Sequence, residues 1–214
     1  MGRTRIYANN AERQRAFQRR QRTELRALRS AAGQYPRHEW DLYVTPVEVI
    51  EAVLAMVTVE PDRVLDVGAN DGRWGAAAQA RWPLAQVSGV ELRPVERPAG
   101  FARWYTGDFL EGAKWLSPYD LIIGNPPYAL AEAFIRAAIG LLWDGGEVCF
   151  LLQSQFLHSK GRRDGLFREY PLRRIYPLAG RVSYHSGRGG TRDATAFLWQ
   201  QGYEGPEEMF RGRY

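Results

Sequence analysis

Residues 63–72 read RVLDVGANDG: Val64, Leu65 and Val67 form a short apolar run that stops at a turn containing Gly68 and Gly72. Glycine permits a tight turn and lets a ligand come close to the main chain. RWGAAAQARW (73–82) follows with a helical composition, so the stretch reads as strand, turn and helix. Strands are expected in AQVSGVEL (85–92), ARWYTGDFL (102–110), YDLIIGN (119–125) and GEVCFLLQ (146–153). ALAEAFIRAAIGLLW (129–143) is expected to be a helix, and LRRIYPL (172–178) and ATAFLWQ (194–200) two last strands. Strands alternating with helices predict an α/β, Rossmann-like fold, its mostly parallel sheet covered by helices on both faces. No long helix separates the last two strands, so an antiparallel edge hairpin is expected. A ligand would lie at the carboxyl ends of the strands, near the topological switch point.

Upstream, DLYVTPVEVIEAVLAMV (41–57) carries helix-start signals: Thr45 as N-cap, Pro46 at the first helical position and Glu48 completing a capping box. Val47, Ile50, Val53, Leu54 and Val57 supply its apolar face.

At 214 residues the chain has room for one domain with a sizeable core. Three regions are expected: a basic, helical arm over 1–35, a catalytic domain over 36–202 and a tail over 203–214. The net charge of +5 is uneven, because nine arginines and two glutamates put +7 on residues 1–30 and leave −2 for the rest. In the arm, Arg13, Arg19 and Arg20 are candidate phosphate contacts. No apolar run approaches a membrane span or a secretion signal, so no membrane partner and a cytoplasmic location are expected. The single cysteine, Cys149, lies in an apolar strand, and His38, His158 and His185 are far apart, so no metal site is expected.

Three strand ends carry polar groups in a telling order. Asp66 precedes the glycine turn, which is not a full G-x-G-x-x-G and so weakens a dinucleotide reading. Glu91 is placed to accept hydrogen bonds from two ribose hydroxyls. Asp108 can accept from an adenine amino group, with the Phe109 ring beside it for stacking. LIIGNPPYAL (121–130) then ends a buried strand in Asn125-Pro126-Pro127-Tyr128. The prolines lack an N–H and have fixed φ, so this segment is stiff and rich in acceptors. The Asn125 side-chain oxygen and the Pro126 carbonyl can accept from both N–H groups of a planar amine and so free its lone pair. Such preorganised dipoles stabilise charge that develops in a transition state. Tyr128 supplies a flat face for a base, which in a duplex must first be flipped out.

The order of LDVGANDG, GVEL, GDFL and NPPY resembles the class I S-adenosylmethionine-dependent amino-methyltransferases, above all the DNA adenine-N6 methyltransferases with their NPPY signature. YVTPVEVIEAV is similar to that family's N-terminal motif, and the resemblance spans about residues 43–152. It implies S-adenosylmethionine as cofactor, held by Thr45, Asp66, Gly68, Asn70, Glu91, Asp108, Phe109 and Asn125. It implies Asn125, Pro126, Pro127 and Tyr128 as the catalytic tetrad. The expected reaction is methyl transfer to adenine N6 in DNA with low sequence specificity, because the chain has no room for a separate recognition domain. A partner subunit would be another route to recognition.

Similar tetrads serve RNA amino-methyltransferases acting on adenine or guanine, and enzymes that methylate a protein glutamine. A non-catalytic cofactor-binding subunit is a further alternative, against which the intact tetrad counts. The arm favours nucleic acid, as does the loop GRVSYHSGRGGTRD (180–193), where Arg181, Tyr184, Arg188 and Arg192 are candidate contacts. Cytosine C5 methylation is disfavoured, since it needs a reactive cysteine.

Overall fold

A computed structural model describes residues 44–113, 116, 118–182 and 192–210. The strands are β1 (Arg63–Val67), β2 (Gln86–Glu91), β3 (Arg103–Thr106), β4 (Tyr119–Gly124), β5 (Leu142–Gln153), β6 (Leu172–Val182), β7 (Arg192–Gln200) and β8 (Glu208–Met209). They form one sheet in the order β3-β2-β1-β4-β5-β7-β6-β8. The first five in that order are mutually parallel, while β7 lies antiparallel between β5 and β6. This is the expected mostly parallel sheet with an antiparallel hairpin near its edge. The tail adds to it, since β8 pairs with β6 and Phe210 packs edge-on against Tyr176 at 5.4 Å.

Side chains alternate between the sheet's faces and so fill two cores. Leu121, Ile123, Cys149 and Leu151 point toward α1 (Val47–Leu54) and α2 (Arg73–Arg81). Ile122, Val148 and Phe150 point the other way, toward α3 (Phe109–Gly112) and α4 (Ala131–Ile139). Every residue of α4 except Glu132 is buried. Past β5 come a 3₁₀ turn (Ser154–His158) and the short helices α5 (Lys160–Asp164) and α6 (Leu166–Glu169).

Three local expectations fail, the first being the strand expected over 102–110, which ends at Thr106 and gives way to α3 from Phe109. The helix predicted over 129–143 ends at Ile139, and Leu142 and Trp143 open β5 instead. A continuous apolar run does not separate helix from strand, and Gly140 is where the chain turns. At α1 the capping box does not form: Pro46 is the N-cap and no side chain caps the helix. Thr45 is turned inward to partners far away in sequence, described below.

The strand order reverses between β1 and β4, so the chain segments leaving these two strands border the crevice. They lie very close together. Gly124 has φ +149°, and a Cβ there would sit 2.6 Å from the Val67 carbonyl oxygen. Only glycine allows this approach. Far along β5 from the crevice, the fully buried Glu147 accepts from Thr58 N (2.9 Å), Thr58 Oγ1 and Arg173 Nη1 (2.8 Å), a structural staple.

Candidate active site

The glycine turn after β1 alternates in hand: Gly68, Asn70 and Gly72 have φ of +66°, +51° and +79°. A Cβ built on Gly68 meets nothing within 4 Å, so the main chain there faces open space. Asn70 holds its left-handed conformation as a non-glycine residue, which asparagine tolerates better than most. Its N–H donates to Glu91 Oε2 at 2.8 Å, tying the turn to the end of β2.

Asp66 is fully buried at the root of this turn. Its Oδ2 accepts from Gly75 N at 2.9 Å, which fixes the start of α2, while Oδ1 has no hydrogen-bond partner among the described residues. Burial pushes its pKa from the ordinary 3.8 up to about 7; Asp71 and Glu91 add to the rise and the Gly75 N–H opposes it. An orphaned, buried carboxylate oxygen is costly unless a donor or a cation reaches it.

Glu91 is 5% exposed and already heavily used. Oε1 accepts from Arg93 N (3.0 Å) and Arg93 Nε (2.8 Å), and Arg93 Nη2 donates to Asn70 Oδ1 at 2.6 Å. A carboxylate has about four acceptor positions, and three are filled. A ribose diol would therefore displace the Arg93 Nε bond, which sequence reasoning did not foresee. Leu92, next in the chain, is 61% exposed and offers apolar surface beside Glu91. It was missed, although GVEL displays it.

Asp108 caps α3 by accepting from Leu110 N at 2.8 Å. Phe109 is not an open stacking face. It is 3% exposed and packs in the core with its ring 5.1 Å from that of Phe134. The same pattern, an apolar residue after a capping aspartate, serves a core anchor equally well.

Thr45 joins the two halves of the site. Its buried hydroxyl accepts from Asn125 Nδ2 at 3.3 Å and from Trp74 Nε1 at 3.4 Å, and its carbonyl accepts from Arg73 Nη1 at 3.1 Å. With Nδ2 held, Asn125 Oδ1 is a buried acceptor without a hydrogen-bond partner among the described residues. In the next residues the acceptors divide. The Pro127 carbonyl accepts from Leu130 N at 2.8 Å and leads into the 3₁₀ turn Tyr128–Leu130, whereas no described residue donates to the Pro126 carbonyl. Pro126 is buried, Pro127 exposed and Tyr128 partly exposed. The tetrad thus carries, on successive residues after β4, two acceptors to which no described residue donates.

A cavity of about 450 Å³ opens next to the tetrad, lined by Tyr128, Phe156, His158, Ser159 and Arg162 among others. Sequence reasoning placed none of the last four in a site. Cys149 is fully buried, and burial raises its thiol pKa well above the ordinary range, so it is no nucleophile. Among the described residues no group of His, Cys, Asp and Glu could hold a metal ion, and no helix is long and apolar enough to cross a membrane. Arg181 and Arg192 fall at the paired ends of β6 and β7. Tyr184 and Arg188, like Arg13, Arg19 and Arg20, lie outside the described residues.

No protein-family model matches the chain. It is 33% identical over 114 residues to the ribosomal RNA large subunit methyltransferase E of Desulforapulum autotrophicum, covering 42% of this chain and 55% of that protein. It is 32% identical over 100 residues to the release factor glutamine methyltransferase of Deinococcus radiodurans, covering 44% of this chain and 34% of that protein. The chain thus spans about half or less of the curated relatives it matches. Among solved structures, the M protein of the type I restriction enzyme EcoKI superposes with a TM-score of 0.59 at 15% identity, over 78% of this chain and 45% of that one. A Listeria monocytogenes protein described as a class I S-adenosylmethionine-dependent methyltransferase gives 0.59 at 12% identity, over 88% and 72%. The strand order, the crevice and these superpositions agree: the chain has the Rossmann-like class I methyltransferase fold.

Proposed function

We propose that the protein is an S-adenosylmethionine-dependent N-methyltransferase that modifies the N6 amine of adenine in nucleic acid, DNA being the expected substrate. The observation that carries this reading is the pair of unfilled acceptors at the tetrad. Asn125 Oδ1 is buried with no partner among the described residues, Pro126 follows it directly in the chain, and Thr45 accepts from the Nδ2 end of the same amide. The curated relatives support methyl transfer as the chemistry, and their names point to RNA and to protein glutamine, not to DNA adenine.

The residues present fit the cofactor. Gly68 leaves its main chain open, Asp66 Oδ1 can accept from an ammonium group, and Glu91 can accept from ribose hydroxyls once Arg93 yields. Asp108 and the exposed Leu92 would border the adenine ring. When bound, S-adenosylmethionine supplies an electrophilic methyl group. The chain's own task is to make the acceptor nitrogen nucleophilic. Two acceptors on its two N–H groups favour a pyramidal nitrogen with a free lone pair, and they are rigid before substrate arrives. Tyr128 would stack on the base. No residue of the chain forms a covalent bond to the substrate in this scheme.

Asn125→Ala tests the reading. Transfer should fall about 100-fold or more, the cost typical of losing one such preorganised dipole, while S-adenosylhomocysteine binds nearly as before. Loss of cofactor binding with no separate loss of turnover would remove Asn125 from the catalytic role.

A further inference from the structure

Arg162 is a partly buried cation that lines the cavity beside the tetrad. Its Nε donates to the Phe156 carbonyl oxygen at 2.8 Å, and its guanidinium carbon lies 4.3 Å from the centre of the Phe156 ring. These contacts hold the fork in place. Among the described residues nothing accepts a hydrogen bond from Nη1 or Nη2, and no carboxylate forms a salt bridge with Arg162, unlike Arg73, Arg93, Arg136, Arg173 and Arg174. Burial disfavours its charge and lowers its pKa, and the negative charge of Glu132 opposes that. Arg162 lines the same cavity as Tyr128, together with His158 and Ser159. A half-buried guanidinium with two such donors is an incomplete site, and a planar fork suits an oxyanion that accepts two bonds at once. A neutral glutamine side chain would leave that charge uncompensated.

We propose that Arg162 binds a backbone phosphate next to the target adenosine, so that the cavity takes a nucleotide within a polynucleotide rather than a peptide glutamine. The proposal rests on the adenine reading of the tetrad and adds the side chain that would hold the backbone beside the target. The phosphate would anchor the target nucleotide while Asn125 and Pro126 engage its amine. His158 and Ser159 line the same space and can add donors to the phosphate oxygens.

The test uses the full chain and short DNA oligonucleotides with a single adenine. The phosphates on either side of it are replaced, one at a time, by neutral methylphosphonate linkages. For the wild-type protein, one replacement should lower kcat/KM about 10-fold or more, the range expected for a charge-assisted hydrogen bond in a partly buried site. Arg162→Gln should lose a similar factor on the all-phosphate substrate and no longer respond to that replacement. Arg162→Lys should keep part of the response. Thermal stability and S-adenosylhomocysteine affinity of Arg162→Gln serve as the folding control. If that variant does not fold, the wild-type and Arg162→Lys responses decide. Equal sensitivity of wild type and Arg162→Gln, or no sensitivity at either phosphate, would overturn the assignment and leave the adenine reading standing. Methylation of a glutamine peptide with none of any oligonucleotide would overturn both.

Discussion

Replacing Asp66 with asparagine removes a buried titratable group but keeps its shape and one acceptor for the Gly75 N–H. In the native chain the carboxyl is fully buried, with its pKa raised from 3.8 to about 7. The folded state therefore holds the proton more tightly than the unfolded state does. The stability this confers is complete below about pH 4 and is lost as pH rises through about 7. At 1.36 kcal/mol per pKa unit, the full change is at most about 4 kcal/mol, and relaxation around the charge brings the expectation to about 2–4 kcal/mol. The amide introduced by Asp66→Asn does not titrate, so the comparison isolates this one group from every other carboxylate. Urea unfolding of both proteins at intervals from pH 4.5 to 8 gives the difference directly, provided the slopes match. The two should be similarly stable at about pH 4.5, and the wild type should become the less stable protein by about pH 8. A difference that stays constant within about 0.5 kcal/mol across that range would show that Asp66 is not desolvated as the structure implies.

Gly124→Ala should destabilise the fold by several kcal/mol and abolish transfer. The new Cβ collides with the Val67 carbonyl in a left-handed backbone, and a normal urea midpoint would refute that contact. Thr45→Val removes the acceptor for both Asn125 Nδ2 and Trp74 Nε1. It should cost about 1–3 kcal/mol and lower kcat more than it raises KM, with Thr45→Ser restoring most of both; steady-state kinetics would expose a pure KM effect. Glu91→Ala should weaken S-adenosylmethionine binding by about 10-fold or more by calorimetry, and unchanged affinity would remove Glu91 from the cofactor site.

The parts of this molecule legible in the sequence depend on local pattern. RVLDVGANDG announces strand, turn and helix because its apolar run and glycines fall within ten residues, and the structure gives Gly68 and Gly72 positive φ. The alternation of strands with helices likewise foretells the parallel sheet. What the sequence hid depends on distant partners. Thr45 looks like a cap by every local rule, yet its hydroxyl is claimed by residues 29 and 80 positions away. Phe109 and Leu92 are both apolar residues following an acid, and only the packing puts one in the core and the other at the surface. Arg93 follows the strand end with no pattern to mark it, so its hold on Glu91 appeared only in three dimensions. Arg162 lies in a polar stretch, KGRRD, where its neighbour Arg163 is an ordinary exposed cation. Its distinction is the Phe156 ring and carbonyl beneath it, supplied by the preceding 3₁₀ turn.

The most direct test of the central claim follows labelled methyl from S-adenosylmethionine into duplex DNA, structured RNA and a protein extract in parallel, with the Asn125→Ala protein as blank. The products are digested to nucleosides and amino acids. Label is expected in N6-methyladenine from nucleic acid and is expected to be absent from the blank. Label in glutamine, or none anywhere while S-adenosylmethionine is bound, would contradict the adenine reading.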